Sequence, residues 1–201
     1  MKTIAILIPV LIVLFLTLQS YLYMSTENVE KQPYRVIQNF GEIEIRFYPS
    51  ATLATVKTGA RNYRELSGSG FRRVAGYIFG GNEEGVKIAM TSPVHMDISP
   101  KGSSMSFVMP EGYNPSNLPK PNDEGIEISR SPDEYVAAIR FSGYASDNTI
   151  GENVEKLSAM LAARGISPIG NFRYLGYDPP YQIIGRRNEI IVSVDWKENG
   201  K

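Results

Sequence analysis

The chain has no cysteine and a single histidine, His95, among 201 residues. Without cysteine there are no disulfides, no thiolate metal sites and no cysteine nucleophile, and the redox compartment stays open. One imidazole cannot build an H-E-x-x-H metal site. A Ser-His-Asp arrangement would have to run through His95, and no G-x-S-x-G elbow accompanies it. No Walker loop and no G-x-G-x-x-G following a strand is present. Charge of one sign is not in excess either: lysine plus arginine and aspartate plus glutamate number 21 each. The basic footprint of a nucleic-acid partner is therefore missing. Together these absences point away from an enzyme, away from a metal site and away from nucleic acid. A carboxylate-based hydrolase using Glu and Tyr stays open.

What the chain does have begins with an apolar run, Ile4 to Tyr23 (IAILIPVLIVLFLTLQSYLY). It is uncharged and about as long as the roughly 20 residues a membrane-spanning helix needs. Tyr21 and Tyr23 stand at its far end, where aromatic side chains favour the interface. The flank LQSYLYMS offers no small-x-small cleavage site, so residues 1–24 are expected to be an uncleaved membrane anchor or signal-anchor. Lys2 before the run and Glu27 and Glu30 after it place the domain on the non-cytoplasmic side. Residues 25–32 (STENVEKQ) read as a polar tether, and 33–197 as the folded domain, with 42% apolar and 21% charged residues overall, a globular composition.

Within the domain, Ile43 to Phe47 alternates apolar with charged, the period of a half-buried strand, and Leu53 to Lys57 continues it. Residues 71–79 (FRRVAGYIF) put Phe71, Val74, Ala75 and Ile78 on one helical face, and Gly80-Gly81 ends the element. Val86 to Met90 and Met105 to Met109 read as strands, and Pro110 to Gly125 as a long surface loop. Tyr135 to Phe141 is a further strand. Thr149 to Glu152 fits a capping box, and Ile150, Val154, Leu157 and Leu161 form a stripe that Gly165 closes. Phe172 to Gly176 and Glu189 to Val194 complete the strands. EIRFYPSATLATVKTG (44–59) matches EISRSPDEYVAAIRFSG (127–143), an internal duplication of a strand–strand–helix–strand unit. Two such units bury their apolar faces in one sheet or open barrel with the helices outside, an α+β fold.

Five stretches carry a family resemblance: GFRRVAGYIFGGN (70–82), KIAMTSPV (87–94), SFVMPEGYNPSNLPKPND (106–123), FSGYAS (141–146) and GYDPPYQIIGRRNEIIV (176–192). In this order they resemble the SOUL haem-binding protein family over residues 34–196. The resemblance implies a distorted antiparallel β-barrel of two pseudo-symmetric halves with two flanking helices. It also implies that haem or another tetrapyrrole binds in a surface groove along the first helix of the domain and the GYDPP loop.

On this sequence that helix is Phe71 to Phe79 and that loop is Tyr177 to Ile184. A tetrapyrrole needs a wide apolar face and partners for two propionates. Arg72 and Arg73 are the candidate propionate partners or else solvated arginines; Tyr77 either stacks on the macrocycle or shields the core edge. Tyr181 and Gln182 stand where some relatives carry a basic residue. His95 is the one possible axial ligand, and beside a Ser-Pro turn it reads more simply as an exposed loop residue. Arg186, Arg187 and Glu189 read as a turn-stabilising ion-pair network introducing the last strand or, more sharply, as a contact for an anionic group. The expected role is a membrane-tethered haem buffer or carrier. Alternatives are a binding module for another small amphiphile and a protein-interaction module using the Pro110–Gly125 loop, with no protein partner indicated.

Overall fold

The computed structural model describes residues 2–99 and 102–197; the side chains of Lys2 and Glu27, which carried part of the orientation argument, lie outside what is described. One long helix, α1 (Lys2–Glu27), precedes a two-layer domain. The short strand β1 (Glu30–Lys31) is followed by β2 (Arg35–Asn39), β3 (Ile43–Tyr48) and β4 (Thr52–Thr58), then helix α2 (Tyr63–Ile78). Strands β5 (Thr91–Ser92), β6 (Val94–Asp97), β7 (Ser103–Val108), β8 (Ile126–Arg130) and β9 (Glu134–Phe141) lead to α3 (Asp147–Ala162). The chain ends in β10 (Pro168–Gly176) and β11 (Asn188–Val194).

Nine strands form one antiparallel sheet in the order β2-β3-β9-β11-β10-β6-β7-β4-β8. The two end strands do not pair with each other, so the sheet is open and the expected barrel does not close. Strand alternation sends Ile43, Ile45, Ala137, Ile139, Ile190 and Val192 to one face, because side chains two apart share a side. That face packs under α2 and α3 through Leu66, Val74, Ile78, Leu157 and Leu161. Neither α2 nor α3 covers the other face. It carries a small apolar cluster, including Tyr48, Val136, Ala138, Leu175 and Ile191, amid polar side chains.

Several local expectations shift. Helix α2 starts at Tyr63, before Phe71, because Asn62 caps it by accepting from the Glu65 N–H at 2.9 Å, the N-cap role suited to Asn. α3 is capped by Ser146, with Thr149 as the third helical residue completing the box; Thr149 is not itself the cap. Val86 to Met90 is not a strand: Ile88 is buried and its N–H bonds the Ile78 carbonyl at 2.8 Å, with no ladder on either side. Part of the expected tether is built into the domain. Glu30 and Lys31 pair in parallel with Thr91 and Ser92, and the Gln32 N–H bonds the Ser92 carbonyl at 2.8 Å.

α1 is long and apolar enough to cross a membrane, with Leu7–Thr26 at a mean hydropathy of 2.0. Its large apolar side chains from Leu7 to Leu18 are exposed, and the buried residue of the stretch is polar, Gln19, at 5% exposure.

Candidate functional site

The candidate residues fall into three groups with separate supports. On α2, Arg72 is exposed and makes no ion pair among the described residues. Arg73 faces the 110–125 loop and forks onto Asp123, Nε to Oδ2 at 2.6 Å and Nη2 to Oδ1 at 2.6 Å. The bidentate geometry is the strong form of this pair. That hydrogen bond raises the Arg73 pKa and, first among its causes, lowers that of Asp123. Gly125 leaves the room: a Cβ there would collide with the Arg73 guanidinium. Tyr77 is buried and donates to the Pro119 carbonyl at 2.9 Å, so its ring closes the core edge. The 110–125 loop, with Tyr113 and Leu118 against the core, is thus tied to α2 along its length.

The second group is the loop 177–187 between β10 and β11. Arg186 organises it from within. Its Nη1 donates to the carbonyls of Pro179 at 2.6 Å and Gln182 at 2.8 Å, and its guanidinium lies 4.6 Å over the Tyr144 ring. Tyr181 is 62% exposed, and Ile183 and Ile184 are exposed beside it. Gln182 is 1% exposed. Its Oε1 accepts from Thr26 Oγ1 at 2.8 Å, and its Nε2 donates to the Ile184 carbonyl at 3.2 Å. Gln19 reaches the same loop, its Oε1 accepting from the Ile183 N–H at 2.9 Å and its Nε2 donating to the Tyr181 carbonyl at 3.4 Å. Gly185, at φ +72°, lets the helix this close, since a Cβ there would lie 2.9 Å from Tyr23 Cε2. No hydrogen bond, ion pair or ring contact joins the α2 residues to Tyr181 or Gln182 among the described residues.

His95 belongs to neither group. It lies in β6, opposite Leu175 on one side and Ser106 on the other, and is 8% exposed. Its Nε2 stands 2.7 Å from Gln32 Oε1, so the neutral ring donates its Nε2–H to the amide oxygen. Burial, reinforced by the Arg173 charge, lowers its pKa to about 3. The exposed-loop expectation is therefore corrected. His95 is a strand residue on the sheet's second face, covered by the chain segment that follows α1.

The third group joins two residues of the expected ion-pair run, Arg187 and Glu189, to Arg46, which the sequence does not single out. Glu189 is fully buried on the second face. Its carboxylate accepts from Arg46 Nη1 at 2.7 Å, Arg187 Nη2 at 2.8 Å and Tyr177 OH at 3.0 Å. Burial alone would raise this carboxyl, yet the two guanidiniums hold it below its usual range. Burial pushes Tyr48 up to about 12 and also raises Tyr177. Arg46 lies 4.3 Å over the Tyr34 ring and Arg187 4.0 Å over that of Tyr177. The expected network of Arg186, Arg187 and Glu189 divides: Arg187 and Glu189 join Arg46, while Arg186 holds the loop.

The sequence model of one family, described as SOUL heme-binding protein, matches residues 29–193. The chain belongs to that family. Among curated SOUL relatives, heme-binding protein 1 of Sus scrofa is 28% identical over 176 residues, covering 81% of this chain and 92% of the relative. Heme-binding protein 2 of Mus musculus is 26% identical over 176 residues, covering 84% and 82%. Among solved structures, the EcmrR C-terminal domain superposes with a TM-score of 0.58 at 10% identity, covering 82% of this chain and 99% of that domain. A hydrolase from Listeria innocua gives 0.51 at 10% identity, covering 86% and 96%. These two share the fold with this SOUL protein.

A tetrapyrrole on this chain would be held without a histidine. Arg72 is a surface guanidinium suited to a carboxylate, and Tyr181, Ile183 and Ile184 offer exposed apolar area. The one imidazole is enclosed with its Nε2 engaged.

Proposed function

We propose that this chain binds haem or a related tetrapyrrole in a surface groove, without catalysing a reaction. It acts as a buffer or carrier tethered to a membrane through residues 4–23, with the domain on the non-cytoplasmic side. The observation that carries the reading is the family match across residues 29–193, with relatives named for haem binding. The apolar side chains of the 181–184 turn supply the macrocycle contact, and Arg72 on α2 a propionate partner. Arg73 is less suited to that role, because Asp123 already holds its fork. The exposed apolar flank of α1 supports the tether. A two-halved arrangement is supported by the order of the eight strands other than β2, which reads the same from both ends when β3, β4, β6 and β7 are exchanged with β8, β9, β10 and β11.

Titrating haemin into the detergent-solubilised full chain tests the proposal. A saturable Soret change at micromolar or tighter affinity is expected. An unsaturable response like that of an unrelated protein overturns it. The paired variant His95→Ala is expected to weaken binding by less than about tenfold, roughly 1.4 kcal/mol, because the ring is enclosed.

A further inference from the structure

Two arginines are buried among the described residues, Arg46 and Arg186. A buried guanidinium normally keeps a carboxylate beside it, because its charge has been taken out of water. Arg46 keeps two, Glu44 and Glu189. Arg186, at 6% exposure, keeps none among the described residues. Its partners are the carbonyls of Pro179, Gln182 and Asp178 and the face of the Tyr144 ring. The acids flanking it are both engaged elsewhere. Asp178 accepts the Arg187 backbone N–H at 2.5 Å, and Glu189 serves Arg46 and Arg187. The 177–187 loop thus encloses a positive charge with only dipoles and one aromatic ring against it.

The contacts are also unevenly placed on the guanidinium. Nη1 makes both short ones, to Pro179 at 2.6 Å and Gln182 at 2.8 Å. Nη2 makes one, to the Asp178 carbonyl at 3.4 Å, and Nε is buried with no hydrogen-bond partner. Nε and Nη2 share the side edge of the guanidinium, which can take a carboxylate through two parallel N–H···O bonds. Arg73 uses that same edge on Asp123. On Arg186 the chain supplies no carboxylate to it.

The neighbour able to give way is Tyr144. Its ring lies 4.6 Å over the guanidinium and is more than half exposed. Its hydroxyl donates one long bond, to the Pro180 carbonyl at 3.3 Å. Turning that ring aside leaves both Nη1 bonds in place, so the loop keeps its shape. The Gln182 carbonyl that Nη1 holds belongs to the turn that exposes Tyr181, Ile183 and Ile184. An anion on this edge would therefore adjoin apolar surface, the pairing an amphiphilic acid presents.

We propose that Arg186 is the carboxylate receptor of the ligand site, taking a propionate of the tetrapyrrole through Nε and Nη2 while Tyr144 turns aside. The inference rests on the tetrapyrrole-binding reading. Haemin and haemin dimethyl ester, whose carboxylates are masked, are titrated into the detergent-solubilised full chain as wild type, Arg186→Gln and Arg64→Gln. Partition of each ligand into detergent is common to the three proteins and cancels when their affinity ratios are compared. The preference for haemin over its ester is expected to fall about tenfold in Arg186→Gln, roughly 1.4 kcal/mol. It is expected to persist in Arg64→Gln, on the exposed side of α2. An equal loss for both ligands in Arg186→Gln, as a purely structural role would give, overturns the proposal, and so does an equal fall in Arg64→Gln. A second readout uses the wild type alone. In the ¹⁵N-labelled chain the Arg186 Nε–H proton signal is expected to move downfield on saturation with diamagnetic gallium protoporphyrin and not with its dimethyl ester. A signal unmoved at saturation overturns the proposal. If the wild type binds neither haemin nor its ester saturably, the haem reading falls and this one with it; saturable haemin binding with the preference intact in Arg186→Gln removes this one alone.

Discussion

Replacing Glu189 by Gln keeps the side-chain shape and removes the one carboxylate on which Arg46 and Arg187 converge. In the native arrangement Oε2 accepts from Arg46 Nη1 and Tyr177 OH, and Oε1 from Arg46 Nη2 and from Arg187 Nε and Nη2. The amide puts a donor among these donors, leaves Arg187 without a counter-charge and leaves Arg46 with Glu44 alone. Both are largely buried, with side-chain exposures of 5% for Arg46 and 20% for Arg187. Breaking a buried pair from one side costs about 3–5 kcal/mol, a large share of the roughly 5–15 kcal/mol that holds a domain folded. The single tryptophan, Trp196, packs on the core and meets the Phe40 ring edge-on at 6.3 Å, so its fluorescence reports urea unfolding of the full chain in non-ionic detergent. Glu189→Gln is expected to lower the unfolding free energy by about 3 kcal/mol or more. Arg46→Met in the same background is expected to recover part of the loss, because it removes the buried cation that faces the new amide. A cooperative transition within about 1 kcal/mol of wild type, the size of an exposed ion pair, would refute the argument that this cluster is a desolvated network.

Two further outcomes follow from the same geometry. His95 is neutral in the folded chain down to about pH 3, whereas the unfolded chain takes up its proton near the ordinary value of about 6.5. Between those values the unfolded state binds more protons, so stability is present at neutral pH and lost on acidification. From pH 7 to pH 5 the His95 contribution falls by about 2 kcal/mol, and His95→Gln is expected to flatten that part of the pH dependence. An unchanged slope in the variant would refute it. Separately, hydrogen exchange at the Ile183 amide reports the contact with Gln19 Oε1. It is expected to be slow in the wild type and fast in Gln19→Leu, and in Gly185→Ala, whose new methyl displaces Tyr23. Equal exchange in all three would mean that the helix does not hold the loop.

The period-2 strands at Ile43–Phe47 and Tyr135–Phe141 and the α3 stripe were legible because each is a local pattern with a buried face. The start of α2 was not, since the Gly68 and Gly70 turn dilutes the apolar signal. Leu66 is nevertheless buried, and Gly70 packs against Met105. The Asn62-to-Glu65 spacing was the available clue. Sheet closure is set by whether the two edge strands meet, which no single segment encodes. The burial of His95 depends on Gln32, 63 residues earlier, crossing the second face; the alternation of Val94, His95 and Met96 alone leaves that face open to solvent. Arg46 had the look of a solvent-facing charge in an alternating strand, and only the ladder β3-β9-β11 brings Glu189 into its reach. Gln19 was visible as a polar interruption of an apolar run, and its purpose needed the loop to be placed beside it.

That placement bears on how ligand binding should be measured. Gln182, in the loop where the family resemblance locates the groove, is held by Thr26; two backbone groups of the same loop are held by Gln19. A soluble fragment beginning at Gln32 lacks both partners. It leaves a side chain that is 1% exposed in the full chain to find new partners or to be solvated. Arg186 would still bridge the Pro179 and Gln182 carbonyls, so the turn keeps its inner scaffold and loses its outer one. A haem affinity measured on such a fragment therefore combines ligand binding with the free energy of reshaping the loop. The full chain, with α1 seated, isolates the first quantity.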